Sequence, residues 1–108
     1  MTTEDATVPV PVWSAPRCIE LGVPFAFRLN KPTVLSSGVW LLPVTWAREV
    51  PQGWFAGDRQ LQGVARSTDC GATWSFHGAV EAPAWALEAM IVERRDGRLW
   101  MLIRTGSG

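Results

Sequence analysis

The sequence predicts an antiparallel all-β fold built from a repeated sheet-forming unit, on three observations. Turn-forming clusters punctuate the chain at Ser36-Ser37-Gly38, Pro51-Gln52-Gly53, Asp69-Cys70-Gly71, Asp96-Gly97 and Gly106-Ser107-Gly108, a rhythm that suits short antiparallel strands. Between them lie runs of strand formers such as Val39-Trp40-Leu41-Leu42-Pro43-Val44-Thr45-Trp46 and Leu99-Trp100-Met101-Leu102-Ile103. The third observation is an internal repeat. Pro32-Thr33-Val34-Leu35, a turn at Gly38 and Trp40 to Val44 resemble Met90-Ile91-Val92-Glu93, a turn at Gly97 and Leu99 to Ile103, offset by 58 residues before the turn and 59 after it. A sheet unit repeating at such a period is how a β-propeller blade looks in sequence.

Taken in order, the elements are unequal. Residues 1–11 fit the repeat poorly, and Met1 to Val8 is polar and acidic, with neither the basic start nor the apolar run of a secretory signal. The cellular compartment is therefore unassigned. Val12-Trp13-Ser14-Ala15-Pro16-Arg17 reads as the last strand of a preceding blade, and residues 12–108 as one propeller fragment. One complete blade runs from about residue 31 to 79. Weak helical periodicity around Ala82 to Met90 is countered by Pro83. The next blade begins at about residue 88, with Glu88 to Thr105 as its first hairpin. The expected architecture is a partial β-propeller: about one complete four-stranded blade plus parts of two neighbouring blades, a chain that starts and stops inside a fold. Both long hairpins are apolar on both faces; in the second, Met90, Val92, Trp100 and Leu102 alternate with Ala89, Ile91, Met101 and Ile103. Such strands need a covering layer on each side.

Composition narrows the functional classes. A chain of 108 residues makes one domain at most and buries roughly 65% of its unfolded surface. Its 47% hydrophobic content excludes a disordered segment, and no apolar run approaches the length of a membrane-spanning helix. Ten basic and ten acidic residues cancel without a block of like charge, which argues against nucleic acid or an anionic membrane as a partner. Cys18 and Cys70 lack the spacing and neighbouring histidines of a zinc site and read as unpaired thiols. No metal or cofactor is expected. Seven tryptophans with no tyrosine suit sheets packed face to face.

The strongest local signal is Ser67-Thr68-Asp69-Cys70-Gly71-Ala72-Thr73-Trp74, between a strand ending near Arg66 and one beginning near Trp74. Asp69 at the corner can accept bonds from the N–H groups of its own turn, Gly71 can take positive φ, and Trp74 can bury its ring. The eight residues read S-x-D-x-G-x-T-W. This resembles the Asp-box, or bacterial neuraminidase repeat, of the sialidase superfamily. The resemblance implies a six-bladed propeller in which Ser67, Asp69, Gly71, Thr73 and Trp74 build a structural turn, with Asp69 holding that turn and not acting as a catalytic acid. The box also occurs in propellers that are not sialidases.

A second constellation is Glu88 and Arg104. With Arg95-Asp96-Gly97 as the loop and Gly97 left-handed, the hairpin centres on residue 96, and 88 pairs directly with 104 at the end away from the turn. In an up-and-down sheet that end is the rim opposite the Asp-box. By likeness to sialidases, Glu88 is the catalytic glutamate that works with a tyrosine nucleophile, and Arg104 is one arginine of the triad that grips the substrate carboxylate. Arginine holds a planar carboxylate through parallel N–H donors, and a buried glutamate can tune a phenol that attacks an anomeric carbon. The competing reading is an ordinary cross-strand ion pair worth under ~1 kcal/mol.

Arg28, Asn30 and Lys31 precede an inner strand, Asn30 at the place in its repeat that Glu88 takes in the next, and read either as further substrate-binding residues or as exposed loop polars. His77 reads as an ordinary surface or packing histidine, and Trp46 or Trp85 near the rim as a surface for stacking a sugar. A sialidase also needs a tyrosine, an aspartic acid and further arginines, and this chain has no tyrosine. The expectation is a fragment of an exo-glycosidase of the exo-α-sialidase type, inactive alone, whose complete form takes carbohydrate ending in sialic acid or another acidic sugar. The alternatives are a non-catalytic carbohydrate- or protein-binding propeller piece and a propeller hydrolase acting on another sugar. Open strand edges predict self-association.

Overall fold

The computed structural model describes residues 3–27, 30–50 and 60–106. Among them the chain is all-β, with the strands β1 (Phe25–Phe27), β2 (Thr33–Val34), β3 (Trp40–Ala47), β4 (Leu61–Ser67), β5 (Ser75–Glu81), β6 (Ala86–Glu93) and β7 (Leu99–Thr105). Every pairing is antiparallel. One sheet runs β1-β3-β4-β5 with β2 also on β3, and β6-β7 forms a second; neither closes into a barrel. The segment expected as one four-stranded unit, residues 31–79, thus contains β2-β3-β4 and most of β5.

Local chemistry sets the two hairpin loops alike. Gly38 N–H donates to Leu35 C=O at 2.9 Å while Leu35 N–H donates to Val39 C=O at 2.8 Å. Arg94, Gly97 and Arg98 repeat both bonds at 2.9 and 2.8 Å. Gly38 and Gly97 have φ of 83° and 80°, where a side chain would strain the backbone. Each loop is a three-residue connection with glycine at its left-handed position.

Leu42, Val44 and Ala65 form the core on one face of the larger sheet, and Leu21, Trp46, Trp74 and Phe76 pack onto it. The other face carries Leu41, Pro43, Thr45 and Gln62, all buried, and turns toward β6. Both faces of this hairpin are covered, as its apolar pattern requires. The second hairpin differs. Ala89 and Ile91 are buried, whereas Met90, Val92, Trp100 and Leu102 stay exposed, so one of its faces has no cover among the described residues.

The two repeat units lie side by side and point the same way. Asn30 Nδ2 donates to Glu88 C=O and Ala89 C=O at 2.9 and 3.1 Å. Thr33 Oγ1 donates to Ile91 C=O at 2.9 Å, and the Ser36 N–H and hydroxyl donate to the Glu93 carboxylate at 2.7 and 2.8 Å. Residues 57 to 59 apart in sequence are therefore neighbours in space.

Three expectations need correction. Val12 to Arg17 joins no sheet; Pro9, Pro11 and Pro16 remove backbone donors that a ladder requires. This coil instead crosses toward the core, with Arg17 Nη2 donating to Gly71 C=O. The weak helical signal near Ala82 to Met90 gives strand β6, not a helix. The short strand β1, which pairs Phe25 with Ala47, had no recognisable turn in front of it. The Pro51-Gln52-Gly53 turn lies outside the described residues, as does the end of the Gly106-Ser107-Gly108 turn.

Candidate functional site

The Asp69 turn connects β4 to β5, and its own side chains close it. Ser67 Oγ donates to Asp69 Oδ1 at 2.7 Å and accepts from Gly71 N–H at 2.8 Å. Thr73 gives its N–H to Asp69 Oδ1 at 2.8 Å and its hydroxyl to Oδ2 at 2.5 Å. Trp74 Nε1 donates to Gly71 C=O at 3.0 Å. Gly71, at φ 84°, lies where an added Cβ would meet the Trp40 and Trp74 rings at 3.3 and 3.4 Å, so the motif's glycine is required twice over. All of Asp69's lone pairs turn inward on the loop, as expected of a structural aspartate.

That network predicts an acid-sensitive turn. Bonds from the Thr73 hydroxyl, the Thr73 N–H and the Ser67 hydroxyl hold the Asp69 carboxyl down from 3.8 to about 2. A depressed folded pKa stabilises the fold above the ordinary value, and the contribution is lost as pH falls toward the folded one. The thermal midpoint is expected to drop between about pH 4 and about pH 2, with a shallower drop for Asp69→Asn. Some slope remains in that variant, because Thr7 and Arg98 also lower Asp5 and Asp96. Melting curves across that range, followed by circular dichroism, measure it.

Glu88 and Arg104 meet at the other end of the sheets. Trp40 pairs with Ser67, so the Ser36 and Asp69 turns share one rim, and Ser36 binds Glu93 beside the Gly97 turn. Arg104 Nη1 donates to Glu88 Oε1 at 2.9 Å on the opposite rim. The expected register, however, is off by one. From Glu93↔Leu99 to Met90↔Leu102 the pairs centre on residue 96, but beyond them Leu87, not Glu88, faces Arg104. Glu88 and Ala89 together oppose Ile103 in a bulge, with Glu88 at φ 54°. The β4–β5 ladder has the same irregularity, where Gly78 holds the corresponding place at φ 89°. The bulge re-aims the glutamate toward the arginine, so the two meet although they are not register partners.

A glutamate where glycine is the natural choice is strained, and such strain often accompanies function. Glu88→Gly is expected to melt no lower than the wild-type chain. Glu88→Ala, which keeps the strain and loses the ion pair, should fall about 1 kcal/mol below Glu88→Gly in urea unfolding.

Around this pair, Arg104 lies over the Trp85 ring at 5.6 Å, and Trp85 is 39% exposed. Gly106 N–H donates to Trp85 C=O at 3.0 Å, and any Cβ at 106 would strike the indole, so the ring rests on the Gly106 backbone. Arg104 uses Nη1 for Glu88 and keeps further donors in its fork for a ligand. Trp46 is not at this surface; its ring meets Phe76 edge-on at 5.3 Å within the core. Asn30 commits its amide donors to the backbone of β6, a bridging use that sequence spacing did not reveal. Lys31 is exposed beside it, and Arg28 lies outside the described residues. His77 is exposed and bonds Ser75 Oγ at 2.9 Å. Cys18 and Cys70 are unpaired and exposed. A hollow of about 600 Å³ lies in the N-terminal coil, lined in part by Asp5, Val10 and Trp13, and includes neither Glu88 nor Arg104. No protein-family model matches the chain, and neither does any curated protein or solved structure.

Proposed function

We propose that the chain is a piece of a sialidase-like β-propeller, an exo-glycosidase acting on terminal acidic sugars, and that it contributes Glu88 and Arg104 to a site completed by residues it does not contain. The observation that carries this reading is the Glu88–Arg104 pair at 2.9 Å on the rim opposite a self-closed Asp-box. The parallel juxtaposition of the two repeat units supports it further, since adjacent blades stack in that manner. In this role Arg104 grips the sugar carboxylate through paired N–H donors. Glu88 takes the proton of a tyrosine supplied from elsewhere as that phenol attacks the anomeric carbon. Trp85 offers a ring for the apolar face of the sugar.

The test is to read the DNA on both sides of the reading frame in all frames. Further Asp-boxes, pocket arginines and a late tyrosine are expected. Flanks that hold none of these overturn the enzyme reading and leave a small binding module.

A further inference from the structure

We infer that the chain pairs with a second copy of itself along the open edge of β7, in an antiparallel register centred on Leu102. β7 joins β6 on one side and no described strand on the other. Backbone alternation from the Arg94 N–H to Arg98 C=O bond, through the pairs Val92↔Trp100 and Met90↔Leu102, directs the N–H and C=O groups of Leu99, Met101 and Ile103 to that edge. These groups are a template for another strand. Beside them Trp100 and Leu102 are each 53% exposed, on the same uncovered face as Met90 and Val92.

The occupant follows from what the edge complements. A seven-residue strand, Leu99–Thr105, overlaps its own copy completely only when centred on Leu102. In that register Met101 exchanges backbone bonds with the partner's Ile103, Leu102 faces the partner's Leu102, and Trp100 stands opposite the partner's Arg104. The last contact sets a cation against an indole face, twice by symmetry. Centring on Met101 instead sets Arg98 directly opposite the partner's Arg104, a like-charge clash. The other free edge, β5, is a poorer template. Gly78 bulges it at φ 89°, and it carries His77 and Glu81, features that blunt an edge. Pairing through β7 also joins the uncovered faces of two hairpins and brings the partner's Trp100 beside Arg104. The inference does not depend on the glycosidase reading.

Sedimentation equilibrium at about 100 μM, a concentration suited to an interface this small, should give twice the chain mass of 11.9 kDa. Leu102→Lys should give the monomer. In a Cys18→Ser, Cys70→Ser background, oxidised Leu102→Cys should cross-link to dimer, because residues facing across the two-fold lie within disulfide reach. Leu99→Cys should not, since its own copy is at the far end of the paired strand. Leu102 and Leu99 are both surface residues, so these variants keep the core intact. A wild-type monomer, equal cross-linking at both positions, or a mass unchanged by Leu102→Lys overturns the inference.

Discussion

Alanine at position 63 is expected to unfold the larger sheet. A Cβ on Gly63 would stand 2.7 Å from the Phe76 ring and 2.9 Å from each of the Gly78 and His77 carbonyl oxygens. The ring can give way only by pushing into the core formed by Leu42, Val44 and Ala65. The carbonyls belong to the backbone of the β5 bulge and cannot rotate aside. Overpacking of this kind costs about 3 kcal/mol, and a domain of this size has only about 3–5 kcal/mol in hand. Gly78→Ala is the informative comparison. Its nearest neighbour would be 3.7 Å away, so space is adequate, but its φ of 89° strains any side chain. That variant should lose only about 1 kcal/mol. Urea unfolding followed by tryptophan fluorescence separates the two, and equal losses would show that backbone conformation, not close packing, is why glycine stands at 63.

The contrast between these glycines explains what the sequence could and could not disclose. Gly38 and Gly97 follow polar turn residues between apolar runs, so their left-handed positions were legible in advance, and with them the hairpins and the repeat. The Asp69 turn was legible for the same reason, since each of its residue types has one evident use there. The bulge at Glu88 was not. Its φ of 54° is imposed by the ladder on a residue that advertises no such conformation, so counting pairs from the loop gave Glu88 as the partner of Arg104 where Leu87 stands. The ion pair survived the error because a long side chain spans one residue of register. The coil at Val12 to Arg17 and the use of Asn30 as a bridge were hidden differently. Both depend on contacts with residues more than 50 positions away, and no local pattern encodes them.

Gln62 is where the two sheets are most firmly tied, and its replacement should be as damaging as alanine at 63. Its side chain is fully buried; Oε1 accepts from Thr45 Oγ1 at 3.0 Å and Nε2 donates to Ala86 C=O at 2.7 Å. Gln62→Leu leaves a buried hydroxyl and a buried carbonyl without their partner, at a cost of about 2–3 kcal/mol. Gln62→Glu gives a sharper result. Protonated, a glutamic acid can still donate to Ala86 and accept from Thr45; ionised, it sets a buried charge against a carbonyl oxygen. Burial raises the folded pKa of such a group, so the variant should be nearly native below about pH 4, with stability falling as pH rises beyond it. This is opposite in sign to the Asp69 contribution. The wild-type chain, with its neutral amide, has no such loss near neutrality. Melting curves for the two glutamine variants at matched pH give the answer, and a Gln62→Glu chain equally unstable in acid would mean that the bridge to Ala86 is not what joins the sheets. Because Ala86 begins the strand that carries Glu88, loss of this bridge also shifts the glutamate relative to Arg104 without touching either one.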